Sequence, residues 1–226
     1  MAEKKLYDRD IREPLFDFLE GKFGKMRIFE EKRTGRARAD VVMLTPTDLY
    51  GIEIKSDADT YVRLAGQVEE YNKHYDKNFI VAGTSHAVHV KDHVPEYWGI
   101  ITVELDEEGK PDFYVLREAA KNPEVDPKLK IEFLWRPELN NLLQKNMLPK
   151  YRTKSKSAVQ DVLLECVPEE VLWPQAYEEL FERDYTTIAQ RINEYRQSIG
   201  QKKRRRRSFK RTTTKKTDKR ATKKST

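Results

Sequence analysis

Two carboxylates and a lysine lie in neighbouring segments that have the pattern of β-strands. Asp40 is near the start of one apolar segment, and Glu53 and Lys55 lie in the next. Ile52 and Ile54 alternate with the charged residues, and the period of two predicts that Glu53 and Lys55 share one face. Carboxylates hold a divalent cation such as Mg²⁺ or Mn²⁺ that activates water, and an ammonium beside it orients the water or offsets developing charge. Such groups are suited to phosphodiester hydrolysis.

The spacing acid-x-Lys has little meaning by itself. It occurs six times, starting at Glu3, Glu20, Glu30, Glu53, Glu108 and Asp126. Only the copy at Glu53 lies in an apolar alternating strand that follows another strand, and Thr45–Asp48 predicts a turn between the two. For the bare pattern a solvated ion pair is the better interpretation. Within this pair of strands, a solvated ion pair and a functional site are equally good interpretations of Glu53 and Lys55.

The elements around these residues predict an α/β fold with a mixed sheet. Helices are expected from near Asp10 and over residues 60–76 and 85–93, and strands over residues 26–31, 39–44, 49–55, 78–83, 99–103 and 113–116. Proline and charge are concentrated in Asn122–Lys130, which indicates a boundary. Beyond it, apolar periodicity predicts helices over residues 137–145, 155–166, 176–181 and 186–199.

Composition excludes several classes of protein. Charged residues make up 36% of the 226 residues, and no apolar run reaches the length of about 18 that a membrane-spanning helix needs. The first residues lack the apolar core of a signal peptide. The single cysteine, Cys166, excludes a disulfide framework and a cysteine-rich zinc site. We therefore expect a cytoplasmic protein without a membrane partner, and the sequence indicates no oligomeric state.

The positive charge of the chain is concentrated at its end. Residues 201–226 contain 14 Lys or Arg and one acid, a net charge of +13, so the rest of the chain carries −7. This tail has no aliphatic side chain larger than alanine, which predicts disorder. Polybasic segments bind phosphates without reading the base sequence. The candidate nucleic-acid contacts in this tail are four consecutive arginines, Arg204, Arg205, Arg206 and Arg207. A solubilising or RNA-binding appendage is the alternative.

The spacing of Asp40, the Glu53-Ile-Lys55 segment and Gln67 on the next helix resembles the PD-(D/E)xK nuclease superfamily, whose core is αβββαβ. Further segments are similar to one small bacterial and phage family within it: 35–40 (GRARAD), 51–57 (GIEIKSD), 67–72 (QVEEYN), 95–99 (PEYWG) and 134–139 (LWRPEL). The resemblance covers residues 8–184. It implies a restriction-endonuclease-like core, which we expect over 1–121. With the periodicity and composition described above, we expect a small helical region over 128–200 and the disordered basic tail over 201–226.

The resemblance also implies roles for individual residues. Asp40 and Glu53 would bind Mg²⁺ or Mn²⁺, and Lys55 would be the catalytic lysine. Gln67 would project toward the site, as in superfamily members that act on DNA ends or single strands. Ala39 precedes Asp40 at the position where the PD-(D/E)xK motif has proline.

An additional acidic residue is expected, with three candidates. Glu13 on the first helix fits the auxiliary carboxylate of the superfamily, whereas Glu30 or Glu31 fits the acid that precedes the Gly-Arg-Ala-Arg segment. Arg36 and Arg38 in that segment are candidate phosphate contacts, and a solvated hairpin edge is an equally good interpretation.

The second half contains a basic loop between two predicted helices. Residues 139–167 look like a SAP-type helix–loop–helix, in which the loop and the start of the second helix would contact phosphates through Lys150, Arg152, Lys154 and Lys156. A helical cap on the nuclease core is at least as good an interpretation.

His86, His89 and His93 share one face if their segment is helical, and zinc binding is conceivable. Chance spacing on a surface helix is the better interpretation, because no cysteine is near and Pro95 follows directly.

The resulting hypothesis is a metal-dependent nuclease that acts on DNA, with RNA as a possible substrate. The alternatives are a nuclease-fold protein that binds DNA or RNA without cutting, and an RNA-binding protein whose function lies in its tail.

Overall fold

A computed structural model describes residues 5–183, which form one six-stranded sheet with helices on both faces. The helices are α1 (Asp8–Phe23), α2 (Leu64–His74), α3 (Thr84–Ala87), α4 (Pro127–Lys130), α5 (Arg136–Lys145), α6 (Lys156–Cys166) and α7 (Glu169–Phe181). The strands are β1 (Arg27–Thr34), β2 (Ala37–Leu44), β3 (Leu49–Lys55), β4 (Lys77–Gly83), β5 (Gly99–Leu105) and β6 (Pro111–Arg117).

The strands lie in the order β1-β2-β3-β4-β5-β6. Strands β1, β2 and β3 pair antiparallel, β3, β4 and β5 pair parallel, and β6 returns antiparallel to β5. The prediction of an α/β fold with a mixed sheet is therefore confirmed. The first six elements run α1, β1, β2, β3, α2, β4, which is the predicted order.

Two predicted helices differ from the structure. The segment predicted as one helix over 85–93 contains only the short α3 and a 3₁₀ turn over Val90–Asp92. Pro95 follows directly, and residues before a proline are disfavoured in the helical region. Helix α7 begins at Glu169 rather than at residue 176, and it contains Pro174 in its interior. Buried Leu172 and Tyr177 hold the helix on both sides of that proline.

Strand β3 is buried along its whole length. Ile52 and Ile54 pack with helix α1 on one face of the sheet. On the other face, α2 approaches closely because Gly51 has no side chain. A Cβ at this glycine would lie 2.6 Å from the ring of Tyr71 and 2.3 Å from that of Tyr75. The glycine therefore lets α2 lie directly on β3.

The helices after β6 share a hydrophobic core with α2 and its face of the sheet. Leu139 and Leu142 of α5, Val159 of α6 and Leu172 of α7 all belong to this core. The predicted boundaries at residues 121, 128 and 200 stay predictions. The helix predicted over 186–199 and the tail over 201–226 lie outside the described residues. No helix within residues 5–183 is long and apolar enough to cross a membrane.

Asp76 connects three parts of the chain. Its carboxylate accepts the backbone N–H of Leu49 at 2.8 Å, and it also binds the ammonium of Lys130 and the hydroxyl of Tyr177. Lys130 is buried and lies 3.7 Å from the centre of the Trp173 ring. The carboxylate thus joins the start of β3 to α4 and α7.

We expect Asp76→Ala to lower the free energy of unfolding by about 3–5 kcal/mol, since it leaves the Lys130 ammonium buried without its partner. Urea denaturation measures the change, and Glu107→Ala in the exposed β5–β6 turn is the control. A loss below about 1 kcal/mol, the usual value for an exposed pair, would contradict this assignment.

Candidate active site

Glu53 and Lys55 lie on the face of β3 that α2 covers, and both are almost fully buried, with exposed fractions of 1% and 4%. Lys55 Nζ donates to Glu53 Oε1 at 2.6 Å. Gln67 of α2 joins both, because its Nε2 donates to Glu53 Oε1 at 2.5 Å and its Oε1 accepts from Lys55 at 3.0 Å. The hydroxyl of Tyr71 donates to Glu53 Oε2 at 2.8 Å. Both oxygens of the buried carboxylate are therefore bonded.

Asp40 lies beside this group where strands β2 and β3 separate. Their ladder ends at the pair Val41 and Ile52, so the next position places Asp40 opposite Glu53. The carboxylate of Asp40 accepts the backbone N–H of Ile54 at 3.0 Å. Its own N–H donates to the Tyr71 hydroxyl at 3.2 Å. The structure thus brings together Asp40, Glu53, Lys55 and Gln67.

The surroundings of Asp40 change its acidity. Burial, followed by the nearby charge of Glu53, raises the pKa of Asp40 to about 7. The hydrogen bond from Ile54 lowers the pKa of Asp40 and offsets only part of this rise. A pair of carboxylates with too little positive charge around it is a favourable place for a cation.

Helix α1 presents Arg12 to the site, and the sequence analysis did not identify it. Arg12 donates from Nη1 to the backbone oxygen of Asp40 at 3.0 Å, and its Nε and Nη2 donate to the carboxylate of Asp8. It also lies 3.6 Å from Glu30 and 3.7 Å from Glu31. Nothing in the sequence distinguishes this arginine, since only the packing of α1 against the sheet places it there.

Glu13 lies on the exposed side of α1. Within residues 5–183 it has no hydrogen bond or ion pair with a residue of the candidate site. Its predicted role stays a prediction, and Glu30 and Glu31 lie closer to Asp40 through their contacts with Arg12.

A cleft of 820 Å³ opens beside Asp40 and Gln67. Its rim carries four arginines: Arg33, Arg36, Arg38 and Arg63. Arg33 and Arg38 are cross-strand partners in the β1–β2 hairpin, and like charges at such positions repel. The sequence analysis identified Arg36 and Arg38 only. Arg63 was missed because it lies 23 residues beyond Asp40, and the fold alone brings the two to one cleft.

The predicted basic loop lines a separate cavity of 460 Å³ beside α5. Lys150 and Arg152 line it with Arg136, which donates to the backbone oxygens of Tyr151 and Ser155. The other two predicted contacts have partners already. Lys154 lies 4.6 Å from the Tyr151 ring centre, and Lys156 donates to the backbone oxygen of Glu132 at 2.9 Å.

Two of the three histidines pack against one tyrosine. The ring of Tyr61 lies 4.7 Å from that of His86 and 4.0 Å from that of His93. Residues 5–183 contain no group of three or more His, Cys, Asp or Glu arranged to hold a metal ion.

The pair Asp40 and Glu53 fits a metal that needs few protein ligands. Mg²⁺ is commonly held by one or two carboxylates and completes its shell with water and substrate phosphates. Asp40 and Glu53 would supply the two carboxylates of such a site.

Because the pKa of Asp40 is raised in the folded state, the folded chain binds more protons than the unfolded chain between about pH 4 and 7. The free energy of unfolding of the metal-free protein should therefore fall as the pH rises through this range, by on the order of 4 kcal/mol from this group. Asp40→Asn should remove that part of the pH dependence. Urea denaturation at several pH values measures it, and parallel curves for the two chains would contradict the expectation.

Comparisons with known proteins give one structural similarity and one family. SfsA from Pyrococcus furiosus, solved in complex with Ca²⁺, aligns with a TM-score of 0.29 and 14% identity, over 50% of this chain and 60% of SfsA. Likeness at this level carries no inference about function. No curated protein matches the sequence. A model of the family described as Bacteriophage P4 protein cII matches residues 1–217. The chain therefore belongs to the bacteriophage P4 protein cII family.

Proposed function

We propose that this protein is a metal-dependent nuclease of the PD-(D/E)xK type, with a restriction-endonuclease-like core, that hydrolyses phosphodiester bonds of DNA. The observation that carries the proposal is the arrangement of Asp40, Glu53 and Lys55. The two carboxylates lie on adjacent strands, one position beyond the last β2–β3 pair, and the ammonium binds one of them at 2.6 Å. A cleft with arginines on its rim opens at Asp40.

The burial of Glu53 and Lys55 supports a functional role. A buried ion pair adds little stability, because removing both charges from water costs as much as their attraction gains. These residues are two positions apart on one strand, so their contact joins no distant parts of the chain. The contact between Glu53 and Lys55 therefore explains little of the fold, although Gln67 and Tyr71 of α2 also bind Glu53, and a chemical role for the buried pair is favoured.

Each residue has a part in the proposed reaction. Asp40, Glu53 and the backbone of the Glu53–Lys55 segment would hold Mg²⁺ or Mn²⁺, which supplies an activated water and offsets charge on the phosphate. Lys55 donates hydrogen bonds to the attacking water or to the phosphate oxygens in the transition state. Gln67 orients the Lys55 ammonium, and Tyr71 fixes the Glu53 carboxylate, because each binds its partner directly.

Three basic regions would hold the DNA. The arginines at the rim of the cleft are closest to the proposed chemistry, and Lys150 and Arg152 line a second cavity. The tail over 201–226, which lies outside the described residues, contains 14 Lys or Arg, more than the other two regions together. Since the remaining chain carries a net charge of −7, these regions must overcome a general repulsion of the substrate.

Lys55→Ala should abolish cleavage that depends on Mg²⁺ or Mn²⁺, because it removes the ammonium and leaves Glu53 without its charged partner. Linear, circular and single-stranded DNA, with an RNA of the same sequence, form the substrate panel. Lys110→Ala is the matched control, since Lys110 belongs to an exposed acid-x-Lys pair with Glu108 at the same distance of 2.6 Å. Asp40→Asn and Glu53→Gln should behave like Lys55→Ala.

Two results would contradict parts of this proposal. Retained cleavage by a pure, metal-loaded Lys55→Ala preparation would remove the lysine from the mechanism. Binding of DNA by the parent chain without cleavage of any substrate would favour the nuclease-fold protein that binds without cutting.

The rim arginines should contribute to the salt dependence of DNA binding. Arg33→Gln and Arg63→Gln should each reduce the slope of log affinity against log salt by about 1, since each phosphate contact releases one counterion. Lys110→Gln, at the opposite edge of the sheet, is the control that leaves the slope unchanged. Fluorescence anisotropy without metal measures the slope. Slopes equal to that of the parent in both variants would show that the rim arginines do not contact phosphates of the DNA.

Deletion of residues 201–226 should weaken DNA binding at low salt while metal-dependent cleavage remains, because the tail holds a net charge of +13 but no proposed catalytic group. Cleavage rates at saturating enzyme show whether the metal-dependent cleavage remains. Loss of all function on deletion would instead favour a protein whose function lies in its tail.

A further inference from the structure

Glu31 has a backbone conformation that side chains rarely adopt. Its φ is 51°, in the left-handed region, although it lies inside strand β1. Within residues 5–183 the other non-glycine residue with positive φ is Met147, in the turn after α5. Such a residue costs free energy, of order 1–3 kcal/mol, and persists only where its surroundings enforce it. The position of this residue beside Asp40 therefore requires an explanation.

The pleat of β2 is interrupted at Asp40. Ala39 and Val42 both face the core that contains α2, although they are three positions apart and a regular strand would put them on opposite faces. Val41 faces the other core, as the alternation requires. The change of face therefore falls at Asp40.

The pleat of β1 is interrupted at the same place. Phe29 faces the core that contains α2, and Thr34 contacts Tyr75 in that core, although these two residues are also an odd number of positions apart. The pairs Glu30–Val41 and Lys32–Ala39 show that the register is unchanged, which places Glu31 opposite Asp40. The interruptions of the two strands therefore fall at the same cross-strand position, Glu31 opposite Asp40.

The interruption determines where the carboxylate of Asp40 lies. Beyond the pair Val41 and Ile52, strand β2 no longer follows β3. The backbone N–H of Ile54 is satisfied by the Asp40 side chain instead of by a strand carbonyl. In an unbroken pleat the side chain would project from the sheet rather than toward the edge of β3.

The side chain of Glu31 contacts residues on both sides of Asp40. Its Oε2 lies 2.6 Å from Arg38 at the rim of the cleft, and its Oε1 lies 3.7 Å from Arg12. Arg12 in turn donates to the backbone oxygen of Asp40. The carboxylate is therefore held in place by the arginines that flank the candidate site.

We propose that Glu31 is a positioning residue for Asp40. Its left-handed backbone creates the interruption that turns the Asp40 carboxylate to the Ile54 N–H, and its carboxylate holds Arg12 and Arg38 around that position. The catalytic consequence rests on the proposed function, whereas the placement of Asp40 does not depend on it.

Two substitutions separate the backbone from the side chain. Glu31→Gly removes the carboxylate but accepts positive φ, whereas Glu31→Val removes it and resists positive φ. Strand β1 is at the sheet edge and the Glu31 side chain is 48% exposed, so valine has room. Glu30→Val is the matched control, because Glu30 is also an exposed neighbour of Arg12 and has no positive φ.

The measurements are hydrogen exchange of the Ile54 amide in the metal-free protein and Mn²⁺ affinity by titration. We expect Glu31→Val to lose the protection of that amide and to weaken Mn²⁺ binding by about 10–100-fold, the usual effect of disturbing the support of a metal ligand. Glu31→Gly should keep the protection and bind Mn²⁺ within a few-fold of the parent, and Glu30→Val should match the parent.

Parental exchange and parental Mn²⁺ affinity in Glu31→Val would overturn the proposal. Should the valine variant not fold, Glu31→Gly still decides, because loss of the Ile54 protection in that chain would show that the backbone conformation is not what places Asp40. Neither measurement involves cleavage, so failure of the proposed nuclease activity would be seen separately in the DNA assay.

Discussion

The buried carboxylate of Glu53 is the constraint on which the arrangement of the site depends. A charge in the interior is tolerated only when it is paired and hydrogen-bonded, and here the partners come from β3 itself and from α2. Helix α2 must therefore lie at a fixed distance from β3, with Gln67 and Tyr71 directed toward Glu53. The same tyrosine reaches the N–H of Asp40. One buried charge thus fixes the relative positions of two strands and a helix.

Much of this arrangement is visible in the sequence, because it depends on local periodicity. The alternation of β3 predicts that Glu53 and Lys55 share a face, and the turn at Thr45–Asp48 predicts that Asp40 lies alongside. The helix that carries Gln67 follows from its apolar stripe. Tyr71 lies on the same predicted helix but was not identified as a site residue, and only the fold shows that its hydroxyl donates to Glu53 and accepts the backbone N–H of Asp40.

Other features could not be predicted because they depend on tertiary packing. Arg12 reaches Asp40 only through the docking of α1, and no pattern predicts a left-handed glutamate within a strand. Helix α7 continues through Pro174, against the local preference of the chain. In each case contacts distant in sequence outweigh what the neighbouring residues favour.

Gly51 shows how far the site depends on a residue with no functional group. The rings of Tyr71 in α2 and Tyr75 directly after it fill the space where its side chain would be, so the spacing between helix and strand is set by a single missing methyl. The reach of Gln67 to Glu53 is matched to that spacing, with a bond of 2.5 Å. A homologous chain with alanine here would contain every acid, lysine and amide of the site and still hold them too far apart to act together. The identities of the candidate residues alone would therefore be a poor guide to which related chains keep this arrangement.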